Sequence, residues 1–227
     1  MPKKYFIIIL SSLIFSGLLR AQVKISDLRR NCSTYNEWGV FAGANYQQLF
    51  AFPFERQYNP GAVIGVYVKK RVNMLGLQSG LYISSAHYET EFLVAHKYRY
   101  SAGTSTDTEH KGIFDALYIN LPIIAELRPK KRFSFQMGVE YSYLCYLNDK
   151  NGAYSKTADP GKLFKKSNVN LLAGAEFEMS KRLKVAASYH LGLLDVNGQG
   201  FQGLTDYWVT SSGQLRLIYQ VNKWYGW

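Results

Sequence analysis

From about residue 36 onward, apolar and polar positions alternate with a period of two. That is the signature of strands whose two faces meet different surroundings. The last stretch is the clearest: Leu215, Leu217, Tyr219 and Val221 alternate with Gln214, Arg216, Gln220 and Asn222. Leu183 to Leu193 sets odd apolar positions against Lys184, Ser188, His190 and Gly192. Val169 to Phe177 faces opposite Asn168, Asn170, Gly174, Glu176 and Glu178. Phe133 to Tyr143 faces opposite Ser134, Gln136, Gly138, Glu140 and Ser142, and Leu117 to Leu127 opposite Tyr118, Asn120, Glu126 and Arg128. Leu75–Ile83, Ala62–Val68 and Trp38–Tyr46 repeat the pattern less cleanly. These runs predict eight strands of roughly ten residues, the length a tilted strand needs to cross a bilayer. No convincing 3.6-residue stripe occurs, and no apolar run after residue 22 is long enough for a transmembrane helix.

The connections alternate in length. Arg71–Asn73, Pro129–Arg132 and Ser180–Arg182 are tight, whereas Phe50–Asn59, Glu89–Gly112, Asp149–Ser167 and Asp195–Thr210 are long and rich in turn residues. Short turns at one end and long loops at the other are the connectivity of an outer-membrane barrel, with termini and tight turns on the periplasmic side. Residues Glu91 to Tyr100 still alternate, which predicts that the third and fourth strands project beyond the membrane as a hairpin. No repeat or linker divides the chain, so one barrel domain over residues 36–227 is expected, after a periplasmic segment at 22–35.

Which face looks outward follows from energetics. A closed barrel pairs every backbone polar group between strands and can sit in hydrocarbon without open edges. A soluble lipocalin-like barrel would reverse the faces, with an apolar lumen and a charged exterior; a soluble barrel closed around the charged face would incur a desolvation cost of several kcal/mol per unpaired ion. The fold class is therefore all-β, an eight-stranded antiparallel up-and-down transmembrane barrel, with a secreted soluble binder as the weaker alternative. Trp38, Tyr46, Tyr141, Tyr143, Tyr189, Trp208 and Tyr219 lie near strand ends and are the expected aromatic girdles.

The amino terminus settles the compartment. Lys3 and Lys4 precede an apolar stretch from Phe6 to Leu19, and Ala21 stands just before Gln22, the pattern of a signal peptide over residues 1–21. Fourteen helical residues rise only about 21 Å, too little for a hydrocarbon core of about 30 Å. Cleavage would leave 24 Lys and Arg against 16 Asp and Glu, a net charge of +8. Export argues against a nucleic-acid partner despite that charge. Cys32 and Cys145 are too few for a disulfide scaffold, and a barrel would hold them too far apart to bridge.

Several segments carry a family resemblance. Gly39-Val40-Phe41-Ala42-Gly43-Ala44-Asn45-Tyr46 resembles the first strand of the PorT-like outer-membrane β-barrel family, common in Bacteroidota. Tyr118-Ile119-Asn120-Leu121-Pro122-Ile123-Ile124 is similar to its fourth strand. Gly138-Val139-Glu140-Tyr141-Ser142-Tyr143 and Leu172-Ala173-Gly174-Ala175-Glu176-Phe177 resemble its fifth and sixth. The likeness spans residues 36 to 222 and implies an eight-stranded barrel in the outer membrane of a Gram-negative bacterium. One lineage of that family is associated with type IX secretion and gliding, while most of its members have no assigned role.

The inward set predicts a lumen network in which Glu126, Glu140 and Glu176 pair with Lys184 and Arg216, with His190 as a further member. An eight-stranded barrel has an interior just wide enough for its own side chains, so a structural plug is the favoured reading over a narrow channel or proton path. His87 and His190 are the strand histidines, and Ser84 and Ser85 lie near His87, yet no nucleophile motif surrounds either one. Gly198 to Gly203 lacks the Gly-Lys-Ser/Thr of a phosphate loop. No catalytic residue, metal or cofactor is expected. Lys69, Lys70, Arg71, Arg128, Lys130, Lys131, Arg132, Lys181, Arg182 and Lys184 gather at the short-turn end, where anionic lipid headgroups or an acidic periplasmic partner would meet them. Lys150, Lys156, Lys162, Lys165 and Lys166 make the third long loop basic, suited to lipopolysaccharide phosphates. The expectation is a non-enzymatic outer-membrane barrel, structural or accessory to an envelope or secretion assembly. Its expected partners are outer-membrane lipid, lipopolysaccharide and other envelope proteins, and its oligomeric state is open. A narrow channel and a surface-binding or adhesion barrel, with its site in the loop Glu89–Gly112, are the alternatives.

Overall fold

A computed structural model describes residues 34–51, 54–55, 57–89, 112–150, 164–198 and 208–225. The expected signal peptide, Cys32, most of the segment before the barrel, the hairpin expected over Glu91–Tyr100, and Lys156 and Lys162 fall outside these residues. Eight strands run antiparallel to their neighbours: β1 (Thr34–Phe50), β2 (Asn59–Val72), β3 (Leu75–Glu89), β4 (Ile113–Lys130), β5 (Phe133–Asp149), β6 (Ser167–Glu178), β7 (Leu183–Gly192) and β8 (Val209–Tyr225). Each pairs with the next in sequence, and β1 pairs with β8, so the sheet closes into a ring and leaves no edge. β7 has the expected ten residues and the other strands exceed it, up to 18 in β4.

Turn chemistry sets the tight end. Val72 pairs with Leu75, so Asn73 and Met74 form a two-residue hairpin loop, and Asn73 takes φ 56°. Asn tolerates the left-handed region better than other non-glycine residues, which is what a primed hairpin turn demands. Pro122 lies inside β4, where a proline removes a ladder donor. Pairing of β3 with β4 is accordingly interrupted between Ser79–Ile123 and Tyr82–Asn120, and the Ser79 hydroxyl donates to the Pro122 carbonyl at 3.0 Å.

The two faces divide as the alternation predicts. Ile64, Leu75, Leu77, Leu121, Ile123, Phe135, Met137, Leu215 and Leu217 are exposed on the outer wall. The buried polar and charged side chains line the inside, so the apolar surface is the outer one, as hydrocarbon requires. Inward-facing glycines admit two large rings among them. Gly39 and Gly80 both lie opposite Tyr67, and Gly65 lies opposite Tyr82. A Cβ on Gly39 would stand 2.7 Å from the Tyr67 ring, and one on Gly65 would stand 2.2 Å from the Tyr82 Cβ. The lumen thus spends backbone-only positions on making room for tyrosines.

Candidate functional site

The lumen is layered along the barrel axis. Nearest the tight turns, alternation turns Glu37 of β1, Lys69 and Arg71 of β2, Glu126 of β4, Glu176 of β6 and Lys184 of β7 inward, and all six are buried. Lys69 Nζ lies 2.7 Å from Glu126, 3.0 Å from Glu176 and 3.6 Å from Glu37. Lys184 pairs with Glu37 and stands 3.5 Å from Glu176, while Arg71 pairs with Glu126 and donates to the Tyr35 hydroxyl at 2.6 Å. Three carboxylates face three cations, so the layer is neutral. Gln136 Nε2 adds a donor to Glu176 at 3.0 Å, and the Tyr67 hydroxyl donates to Glu37 at 3.5 Å. Buried ions persist only when paired and hydrogen-bonded in this way.

The middle layer is polar. Glu140 of β5 accepts from the Tyr82 hydroxyl, and from Asn170 Nδ2 at 3.0 Å, and lies 3.2 Å from His190 Nδ1. His190 Nε2 lies 2.9 Å from Ser188 Oγ, and Arg216 Nη2 donates to that oxygen at 3.4 Å. Ser188, His190 and Glu140 therefore form a chain with the connectivity of a hydrolase triad. The adjoining small cavity, bounded by Asn45, Asn120, Glu140, Asn168, His190 and Gln214 among others, has room for about one water.

Above this layer the inward positions turn apolar. Leu49, Ala86, Tyr88, Phe114, Ala116 and Leu144 of the strands pack with Phe54, Phe164, Val196 and Trp208 of the long connections. Phe54 meets Trp208 edge-on at 5.1 Å, and Tyr88 stacks on Phe164 at 5.7 Å. Backbone bonds from Glu55 to Glu89 (2.9 Å), Lys165 to Val196 (2.9 Å) and Val196 to Trp208 (3.0 Å) hold the connections over the mouth. These contacts make an aromatic cap over the long-loop end.

Several sequence expectations need correction. Lys69, Arg71 and Lys184 do not stand on the basic rim; strand parity buries them inside with Glu37, Glu126 and Glu176. Glu126 pairs with Lys69 and Arg71 rather than with Lys184 or Arg216. Arg216 has no ion pair among the described residues and lies over the Phe41 ring at 5.3 Å. Trp208 is no girdle residue: it precedes β8, points inward and is 1% exposed in the cap. Trp38, Tyr46, Tyr141, Tyr143, Tyr189 and Tyr219 do point outward. Tyr46, Tyr141, Tyr143 and Tyr189 lie toward the long-loop end, and Trp38 and Tyr219 toward the tight turns. Glu37, Lys69, Arg71, Tyr67 and Tyr82 went unread as lumen residues, although their alternation with Trp38, Val68 and Val72, or with Leu81 and Ile83, carries the signal.

At the outer rim His87 Nδ1 lies 2.7 Å from Asp115 and Nε2 lies 3.1 Å from Glu89, so its ring meets carboxylates and neither neighbouring serine. Ser84 accepts from Asn120, and Ser85 accepts from the Ala62 amide. Lys150 pairs with Asp115 at 2.8 Å and Lys165 with Asp195 at 3.1 Å.

A closed eight-stranded ring with an apolar outer wall and an ion-paired interior defines an integral outer-membrane barrel. The chain belongs to the outer membrane protein beta-barrel domain family, whose model matches residues 21–198. Among solved structures it is similar to Neisserial surface protein A, with a TM-score of 0.48 and 13% identity over 82% of this chain and 96% of that one. The attachment invasion locus protein Ail of Yersinia pestis, bound to the heparin analogue sucrose octasulfate, aligns with a TM-score of 0.43 and 11% identity over 82% and 98%. OprG from Pseudomonas aeruginosa aligns at 0.41 and 9% over 86% and 95%. No curated protein matches the sequence.

Proposed function

We propose that this protein is a non-conducting, non-enzymatic barrel of the Gram-negative outer membrane, exported by residues 1–21, with a structural or accessory role in an envelope assembly. The observation that carries this is the double closure of the lumen. A neutral layer of six interlocked ions fills the tight-turn end, and an aromatic cap covers the long-loop end. Opening either would strand buried charge or expose a packed apolar cluster. The Ser188–His190–Glu140 chain serves as an internal brace between β7 and β5, because the space beside it holds only about one water. Its interactions with lipid, lipopolysaccharide and envelope proteins then run over its outer wall and loops. Kinship with the PorT-like group rests on the Gly39–Tyr46 and Tyr118–Ile124 segments. Planar-bilayer recording from purified protein tests the reading. Silence is expected, and reproducible unitary conductance would overturn it.

A further inference from the structure

Resting on the reading as an integral outer-membrane barrel, a second surface comes into view once the acids of the tight-turn end are accounted for. Glu37, Glu126 and Glu176 are spent inside the lumen on Lys69, Arg71 and Lys184, and Glu178 is taken by Arg128. Lys70, Lys130, Lys131, Arg132, Lys181 and Arg182 remain exposed at that end, without an ion pair among the described residues. The interior neutralises itself, and six positive charges at the rim have no ion pair among the described residues.

The rim is also anchored to the wall. The Arg132 carbonyl accepts from the Glu178 amide at 2.8 Å, and the Arg182 carbonyl accepts from the Gln220 amide at 2.8 Å, tying both basic turns to the neighbouring strands. Its level is set by what lies beside it. Arg182 donates to the hydroxyl of outward-facing Tyr219 at 3.5 Å, and Phe135 and Phe177 stand on the outer wall next to the turns. Aromatic residues of this kind mark the junction of hydrocarbon and headgroup, so the cations fall at headgroup depth.

We propose that this rim is a binding surface for the anionic phosphodiester headgroups of inner-leaflet phospholipids. Clustered like charges repel within a Debye length of about 8 to 10 Å, and phosphodiesters relieve that repulsion while accepting hydrogen bonds from guanidinium and ammonium groups. Basic residues near a membrane surface draw anionic lipid by this field.

Trp38 and Trp224 are exposed at the same end and report on the lipid beside it. The full-length protein, purified from membranes and reconstituted, is placed in phosphatidylcholine vesicles carrying a minor fraction of either brominated phosphatidylglycerol or brominated phosphatidylcholine. Tryptophan quenching is then compared at low and high salt. The expected result is a preference for phosphatidylglycerol on the order of tenfold at low salt, falling severalfold at high salt. Lys130→Gln/Lys131→Gln/Arg132→Gln/Lys181→Gln/Arg182→Gln should abolish the preference, and the first three substitutions alone should roughly halve it. Lys165→Gln/Lys166→Gln, at the other end, should leave it intact. Equal quenching by the two lipids in the wild type, or an undiminished preference in the triple variant, overturns the proposal. Indifference to lipid combined with salt-sensitive binding of a polyglutamate peptide would assign the rim to an acidic periplasmic protein instead. Absence of quenching by brominated phosphatidylcholine itself would mean that the chain is not membrane-embedded, so that failure is distinguishable from failure of the headgroup site.

Discussion

Lys69 on β2 reaches across the whole lumen to Glu176 on β6, its Nζ 3.0 Å from both carboxylate oxygens. In a ring of eight strands these two stand on opposite walls. A barrel in which opposite walls touch through an ion pair has no open bore at that level. The pair is also fully buried, so each partner depends on the other to offset its desolvation.

Lys69→Met should therefore be severely destabilising, since it leaves Glu126 and Glu176 without their shared cation. A loss of about 3–5 kcal/mol is expected for breaking one side of a buried pair. Urea unfolding followed by the mobility difference of boiled and unboiled samples measures it. Combining Lys69→Met with Glu176→Gln should recover part of the loss, because the second change removes one stranded charge.

Gly65→Ala places a methyl where the Tyr82 Cβ already stands, 2.2 Å away. The strands cannot separate without breaking the β2–β3 ladder, so the expected cost is about 1–3 kcal/mol or failure to close. Gly213→Ala is the matched control, since nothing lies within 4 Å of its added Cβ. Folded yield in detergent should fall for the first variant and hold for the second.

Phe54→Ala removes the ring that packs on Tyr88, Phe114, Phe164 and Trp208. Truncating a ring in such a cluster costs about 3–5 kcal/mol in a cooperative core. Here the loss should fall on the cap rather than on the strands, because stability is distributed locally. Faster protease cleavage of the long loops, with an unchanged barrel mobility shift, is the expected outcome. Loss of the mobility shift itself would show cap and barrel to be one cooperative unit.

Asp195 links the cap to pH. Partial burial opposes its ionisation, but the Trp208 and Asn197 amides and the Lys165 ammonium donate to the carboxylate and hold it below the usual range. A folded value below the unfolded one means that the contribution is complete above the ordinary carboxylate range and is lost as pH falls through the lowered value. The loops should thus become more protease-sensitive below about pH 4, and Asp195→Ala should be sensitive already at neutral pH.

Much of this architecture was legible in the chain itself. Alternation in Leu117–Leu127, Phe133–Tyr143 and Leu215–Val221 assigns one face to lipid, because successive strand side chains point to opposite sides, although Pro122, Ile124 and Ile218 put apolar residues on the inner face of these runs. The alternation of short and long connections sets the strand order and the two ends. Strand limits were less readable, as β8 begins at Val209 through a polar run, Thr210-Ser211-Ser212, that carries no apolar signal. Parity also places Glu37, Lys69 and Arg71 inside, but the run Lys69-Lys70-Arg71 reads equally simply as part of a basic rim.

Local pattern determines which way a side chain points, and here that was enough for the fold and its two faces. It does not determine what a side chain meets. Lys69 finds Glu176 rather than a phosphate, and Trp208 enters the mouth rather than the lipid boundary, because closure of the ring brings β2 to β6 and folds the connections over the lumen. Those partners lie 107 residues apart for the ion pair, and no periodicity spans that distance. Only the tertiary structure, through the register of eight paired strands, decided that Glu37, Glu126 and Glu176 meet Lys69, Arg71 and Lys184 inside the lumen.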